Sequence, residues 1–362
     1  MEILQVLFII AAAILTVLNL FILYGLRRGK SIGSNWKKEI FFSIIVAAKN
    51  EEDNVSKLLS SLRKIDYPEA MYEIIIVDDN SSDNTFAAVL NYKNEFTNFS
   101  VHSLKEKSMP GKKGALDYGI SKAQNPFILI TDADCRPQRN WLKSYAERFI
   151  EGYDFLFGIA PFDVEENLIN KISCFENLRS SILTFSSANL GIPFSAAARN
   201  FGFKKSSFEK IKGYGNTIET LSGDDDLLLR EAVKNKMKIG TISGINSFVY
   251  SSAKSSFKKY FSQRSRHTKT SFYYLPSRQI ILGLWHAVNL ICLFSFLLIR
   301  LDILFVLPFI IKLLFDIISV RINQNNFGYH FKIRETIVFQ IFYEIFLIIN
   351  FTGAIFKKDK WK

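Results

Sequence analysis

The sequence predicts an α/β fold: a doubly wound, mixed but mainly parallel sheet, with transmembrane helices at both ends of the chain. Three observations predict it. Short β-branched runs alternate with amphipathic stretches through the middle of the chain. Carboxylates cluster directly after several of those runs. The apolar residues that raise the hydrophobic share to 48% are concentrated at the two ends.

The first element is the apolar run Ile3–Leu26. It is nearly uncharged and long enough to cross a bilayer at roughly 20 residues per span. A cleaved signal peptide would open with basic residues and close on a small-residue cleavage site. Here Glu2 stands at the start, and Arg27, Arg28 and Lys30 follow the run. Residues 1–28 are therefore read as a retained anchor whose C-terminal end faces the cytosol.

The next unit spans residues 40–259. Its strand-like runs are Phe42–Ala47, Glu73–Val77, Phe127–Thr131, Asp154–Ile159 and Ile239–Thr241. Between them lie Asn54–Ile65, Thr85–Glu95, Gly114–Ala123 and Asn140–Phe149, each with an apolar face at helical spacing. A sheet of this kind binds ligands beyond the C-terminal ends of its strands, so functional residues are expected just after each run.

From Tyr260 the chain changes character. Residues 260–278 are basic and aromatic, which suits an interfacial amphipathic segment. Residues 279–356 then hold three apolar segments, Gln279–Ile299, Leu301–Val320 and Glu335–Phe356, the first two split by a tight turn around Arg300 and Asp302. Four spans would leave Lys357–Lys362 outside, against the positive-inside tendency, unless one segment lies in the interface. The net charge of +12 suits an anionic membrane surface or a phosphate-bearing ligand. A nucleic-acid partner is not expected, because no helix-turn-helix, zinc or RNA-binding signature is present. Cys135, Cys174 and Cys292 have no paired spacing, so neither a disulfide framework nor a zinc site is read from them. His102, His286 and His330 share no ligand spacing either.

Three motifs fall at predicted strand ends, and a fourth opens a helix. Ile45-Val46-Ala47-Ala48-Lys49-Asn50-Glu51-Glu52 is a strand entering a polar turn. Ile76-Val77-Asp78-Asp79 ends a second strand in two carboxylates; capping of the following helix explains one of them, not the pair. A carboxylate there can accept hydrogen bonds from a nucleobase or ribose. Ile130-Thr131-Asp132-Ala133-Asp134 ends a third in Asp-X-Asp spacing, the hard-oxygen donor set that Mg²⁺ or Mn²⁺ favours. Gly223-Asp224-Asp225-Asp226 is an acidic turn entering a helix, where clustered carboxylates repel unless a donor, a cation or a raised pKa relieves them.

In this order the motifs resemble the family 2 glycosyltransferases of the GT-A fold, over roughly residues 40–270. Gly111-Lys112-Lys113-Gly114, Ala198-Arg199-Asn200-Phe201-Gly202 and Gln263-Arg264-Ser265-Arg266-His267 add to the resemblance. It implies an inverting transfer from a nucleotide sugar, UDP-linked by default, to a membrane-associated lipid or glycan. It further implies a multi-pass membrane protein of the cell membrane with its catalytic domain in the cytoplasm. By the same resemblance Asp224 is the general base, with Asp225 its rival and a pKa raised by Asp225 and Asp226. Asp132 and Asp134 hold a divalent metal, and Ala48, Asn50, Glu51, Asp78, Asp79, Lys113, Asp132, Gln263 and Arg266 hold the donor. His267 stands where the family usually has Trp, and the acidic turn begins Gly223-Asp224 where Glu-Asp is usual. The first departure weighs against a processive polysaccharide synthase, which is the alternative reading. A non-catalytic nucleotide-binding protein is the second alternative, and acids kept at all four motifs weigh against it.

Overall fold

The computed structural model describes residues 2–29 and 40–356. The positive flank at Lys30 and the basic end Lys357–Lys362 lie outside the described residues. Helix α1 (Glu2–Arg28) precedes the sheet domain. That domain runs β1 (Phe42–Ala48), α2 (Glu52–Leu62), β2 (Tyr72–Asp78), α3 (Thr85–Leu90), β3 (Phe99–Ser103), α4 (Lys112–Lys122) and β4 (Phe127–Asp132). It continues through β5 (Cys135–Pro137), α5 (Trp141–Ile150), β6 (Phe155–Gly158), α6 (Leu168–Asn189), β7 (Phe201–Lys204) and α7 (Lys205–Lys210). It closes with α8 (Asp226–Lys234), β8 (Ile239–Ile242) and β9 (Val249–Ser251), after which come α9 (Phe257–Thr270), α10 (Pro276–Phe294), α11 (Val306–Asn323) and α12 (Ile333–Phe356).

Seven strands form one sheet in the order β3-β2-β1-β4-β7-β6-β8, and β5 pairs with β9 in a second. β1 is parallel to both β2 and β4, while β7 is antiparallel to β4 and β6. The sheet is therefore mixed and mainly parallel, as the alternation of runs and helices predicts. Successive side chains of β1 go to opposite faces, as a period of two requires. Phe42, Ile44 and Val46 pack with Leu58, Leu59 and Trp141 on one side. Ile45 packs with Leu116 and Ile120 on the other. Both faces are dry, which is why the central strands read as continuous apolar runs.

Two strands of the large sheet were not read from the sequence. Half-exposed β3 lies at the sheet edge, and β7 is split by Gly202, so neither presents a β-branched run. Helix α6 was also missed. It carries Glu176, Arg179 and several serines on buried positions and so lacks a clean apolar stripe.

Four helical stretches are long and apolar enough to cross a membrane: Glu2–Arg28, Pro276–Leu298, Ile303–Phe327 and Ile333–Phe356. They correspond to the four segments read from the sequence, with the turn at Arg300 and Asp302 between the second and third. Helix α6 ties them to the sheet domain. Ser186 Oγ donates to Ile22 O at 2.9 Å, and a Cβ at Gly25 would stand 2.6 Å from Ser186 O, so only glycine allows this approach of α1. Arg179 meets Asp316 at 2.9 Å, and Lys312 reaches Asp316 at 2.6 Å and Glu344 at 3.1 Å. Two cations and two anions thus balance where α6, α11 and α12 meet, as buried charges must.

Candidate active site

The strand ends assemble one cleft. After β1 and after β2 the chain turns through Asn50 and Asn80, both left-handed with φ near 55° and 54°. Asparagine tolerates that conformation better than most residues. The two turns are laced together: Asn50 Oδ1 accepts from Ser82 N at 2.8 Å, and Glu51 N donates to Thr85 Oγ1 at 2.8 Å. After β4, Asp132 and Asp134 point into the same cleft, with Cys135 buried behind them. Across from them stands the acidic turn before α8. Gly223 takes φ 79°, where a Cβ would press to 2.7 Å on Leu227, so a glycine is needed to bring Asp224 round.

The cleft is the mouth of a cavity of about 2150 Å³. Of the residues expected in a site, Ala48, Glu51, Asp79, Asp132, Asp134, Asp224, Asp225, Gln263 and Arg266 line it. Asn50, Asp78 and Lys113 do not line it. Asn50 serves the turn. Asp78 lies behind Asp79, its Oδ2 3.4 Å from Ser81 N and its Oδ1 buried with no hydrogen bond. Lys113 is turned away, donating to the carbonyls of Thr217 and Thr220. Against the expectation for Lys113, it is the neighbouring Lys112 that lines the cavity.

Lys112 Nζ sits 2.6 Å from Asp132 Oδ1 and 2.6 Å from Asp224 Oδ2, bridging the two acidic motifs. Burial works against its charge, and the two carboxylates outweigh that, holding its pKa well above the usual lysine range. Local pattern does not choose between Lys112 and Lys113, because adjacent residues of a helix point about 100° apart and only the packed register selects one. Lys107 plays a similar part at the other carboxylate pair, 2.7 Å from Asp79 Oδ1.

The three aspartates of the acidic turn differ sharply. Burial alone would raise the Asp224 pKa, but the Lys112 ammonium more than offsets it and leaves Asp224 below the usual carboxylate range. Asp225 caps α8 through Asp226 N at 2.7 Å and also accepts from Ala198 N at 2.7 Å. Burial, then the charges of Asp226 and Asp224, push its pKa well up. Asp226 is tied to Ser195 Oγ at 2.8 Å and Tyr274 Oη at 2.6 Å. The expected raising of Asp224 by its neighbours is thus corrected: Asp225 is the raised group, and Asp224 stays ionised.

Helix α9 forms the far wall. Arg264 Nε is 2.7 Å from Glu176, which also accepts from Tyr260 Oη, so α9 is pinned to α6. His267 has an edge open to the cavity. Enclosure by protein, then Arg266 and Arg264, lowers its pKa and keeps it neutral at pH 7.

The donor chemistry fits a divalent cation at one corner. Asp132, Asp134 and Cys135 offer ligand atoms within 4.8 Å of one another. Burial, then Asp134 and Asp132, raise the Cys135 pKa well above the usual range, so the thiol stays protonated. The two carboxylates alone make an oxygen donor pair, the set that Mg²⁺ or Mn²⁺ prefers over soft metals.

Residues 43–212 match the sequence model of the family described as Glycosyl transferase family 2. A beta-monoglucosyldiacylglycerol synthase of Trichormus variabilis is 38% identical over 96 residues, 26% of this chain and 20% of that protein. The chain thus spans about a fifth of the length of this relative. A dolichyl N-acetyl-alpha-D-glucosaminyl phosphate 3-beta-D-2,3-diacetamido-2,3-dideoxy-beta-D-glucuronosyltransferase of Methanococcus voltae is 27% identical over 241 residues, 62% of this chain and 70% of that one. Among solved structures, a mannosyltransferase from Pyrobaculum calidifontis in complex with GDP-Man and Mn²⁺ superposes with a TM-score of 0.61 at 14% identity, covering 96% of this chain and 99% of that one. This last likeness is one of fold.

Proposed function

The chain carries a family 2 glycosyltransferase domain of the GT-A fold, and on that premise we propose that it transfers a sugar from a nucleotide-sugar donor to a membrane-associated acceptor. One observation carries the reading: Asp132 and Asp134 face Asp224 across a cleft, and the cavity behind that cleft continues to the apolar helices. A transferase needs a place for a diphosphate leaving group opposite a base for the acceptor hydroxyl, and these two acidic motifs supply them. The named activities of the three similar proteins agree with it.

The proposed roles follow from the geometry. Asp79, Ala48 and Glu51 line the end of the cleft suited to a nucleoside, with UDP the default. Asp134 and Asp132 are the pair to hold Mg²⁺ or Mn²⁺, which when bound would neutralise negative charge on the departing diphosphate. Asp224 accepts the proton of the attacking hydroxyl, in an inverting single displacement. Its ionised state at pH 7 suits that task, and Lys112 holds it in place. Asp225, already engaged by two backbone N–H groups, supports the turn. Gln263 and Arg266 on α9 face the same space, where a guanidinium suits phosphate oxygens. Residues 1–28 would anchor the enzyme, 40–259 catalyse, 260–278 lie at the interface and 279–356 complete the membrane portion. Arg27 and Arg28 in the last turn of α1 favour a cytoplasmic catalytic domain of a cell-membrane protein.

The test uses the full chain in nanodiscs with a native lipid extract, a panel of nucleotide sugars, and Mg²⁺ or Mn²⁺. Metal-dependent consumption of one donor is expected, lost in Asp134→Ala and reduced by about 10²–10⁴-fold in Asp224→Asn, the usual worth of a general base. Asp224→Asn retaining most of the transfer rate would remove Asp224 from the role. No donor consumed by folded protein would refute the transferase reading.

A further inference from the structure

The cavity does not end at the acidic motifs. It runs past α9 and between α10 and α12, where its walls become Leu282, Gly283 and Leu290 on one side and Leu347, Ile348 and Phe351 on the other. Those two helices follow different courses. α10 packs chiefly on α1 and α11, whereas α12 packs on α9, α11 and α6. The start of α10 touches the sheet domain, with Arg278 Nε 3.2 Å from Pro193 O. The helix then leads away, toward the turn where Asp302 accepts from Gln5 at 2.7 Å. α12 does not lead away. Glu335 near its start is 3.3 Å from Lys171 of α6. Phe351 near its end meets Phe272 edge to face, ring centroids 5.6 Å apart, and Gly353 lies against Ser265 of α9. A helix of 24 residues is about 36 Å long. Both its ends therefore meet the catalytic side, and α12 lies across that face.

A wedge opens between the diverging helices. Its outer rims are apolar and exposed, with Ile280 on α10 and Ile345 and Ile349 on α12, as suits contact with lipid. Its inner floor is polar, formed by Ser180, Ser181 and Thr184 of α6, and it leads to Asp224. An apolar slot open to the bilayer and continuous with a polar catalytic cleft matches an amphiphile: a hydrocarbon chain in the slot, a headgroup in the cleft.

We propose that the wedge between α10 and α12 is the portal and chain-binding groove for a membrane-lipid acceptor, which enters sideways from the bilayer and presents its headgroup hydroxyl to Asp224. The role given to the headgroup rests on the transferase reading; occupancy of the groove by a lipid chain does not. On the same geometry α12 lies in the interface, and three helices, α1, α10 and α11, cross the membrane.

Gly283 offers the test, because a Cβ there meets nothing within 4 Å and a large side chain would project into open groove space. Full-length protein is placed in phosphatidylcholine nanodiscs containing a lipid with a diazirine in its acyl chain, and photoadducts are mapped by mass spectrometry. Adducts are expected on the groove faces, at Leu282, Leu290, Leu347 and Ile348, as well as on the rim at Ile280 and Ile345. Gly283→Trp, with Ala287→Trp as a second occluding variant, should reduce the groove adducts and leave the rim adducts unchanged. Transfer to the lipid extract should fall about 10-fold, the equivalent of roughly two buried methylenes, while hydrolysis of the donor by water persists. Groove adducts that are absent from the wild type, or that survive both substitutions, would overturn the proposal. Groove adducts that respond as expected in a protein consuming no nucleotide sugar would uphold the lipid groove and sink the transferase reading alone.

Discussion

Removing Lys112 isolates the electrostatics of the cleft. Its ammonium is 2.6 Å from Asp224 and 2.6 Å from Asp132, and its side chain is only 13% exposed. Solvent therefore screens the pairing weakly. An opposite charge this close typically commands about 1–3 pH units of a carboxylate's titration, each worth about 1.4 kcal/mol. In Lys112→Gln, Asp224 keeps its burial and its neighbours Asp225 and Asp226 but loses the cation. Burial is then the largest influence left and raises its pKa, against weaker lowering by its own backbone N–H and by Lys113. The sign is then fixed: the wild-type base stays charged as pH falls through the ordinary carboxylate range, and the variant's base is protonated at higher pH. The acid limb of kcat/KM for sugar transfer, measured from about pH 3 to 9, should move upward by about 1–3 units. Lys112→Arg should largely restore it. Lys113→Met removes the weaker of the two charges acting on Asp224, one whose ammonium serves the carbonyls of Thr217 and Thr220; it should lower thermal stability and move the acid limb upward by less than Lys112→Gln does. An acid limb unmoved in Lys112→Gln would refute the claim that this lysine holds Asp224 ionised.

Two further perturbations probe the joint between the sheet domain and the apolar helices. Lys312→Met would leave buried Glu344 without its cation and Asp316 with Arg179 alone, and breaking one partner of a buried ion network costs about 3–5 kcal/mol; a clear fall in Tm in detergent is expected, and an unchanged Tm would show that the network contributes nothing net. Gly25→Leu would drive a side chain into Ser186 O, 2.6 Å from the nearest Cβ position, at a cost of about 1–3 kcal/mol for overpacking. A Tm equal to that of the wild type would mean that α1 can shift on α6 without loss.

The sequence alone determined the architecture class and the sequence neighbourhoods of the cleft. The reason is local: β1, β2 and β4 are dry on both faces, so each must read as an unbroken apolar run, and each must end where polar residues begin. The same logic exposed the four apolar segments, whose bounds the helices follow to within a few residues except at the end of the third. Edge strand β3, glycine-split β7 and the polar helix α6 escaped, because their environments are set by partners distant in sequence. Tertiary structure also decided matters that no local pattern encodes. It selected Lys112 over Lys113 by the register of α4, and turned Asn50 and Asp78 from ligand candidates into parts of their turns. It gave three adjacent aspartates different protonation behaviour, because Lys112 reaches only Asp224 while backbone N–H groups and Tyr274 engage the other two. It brought both ends of α12 against α6 and the α9 region, although its composition alone would let it cross a bilayer. Composition records how apolar a segment is; where its two ends are held depends on Lys171, Ser265 and Phe272, residues that only folding brings to it.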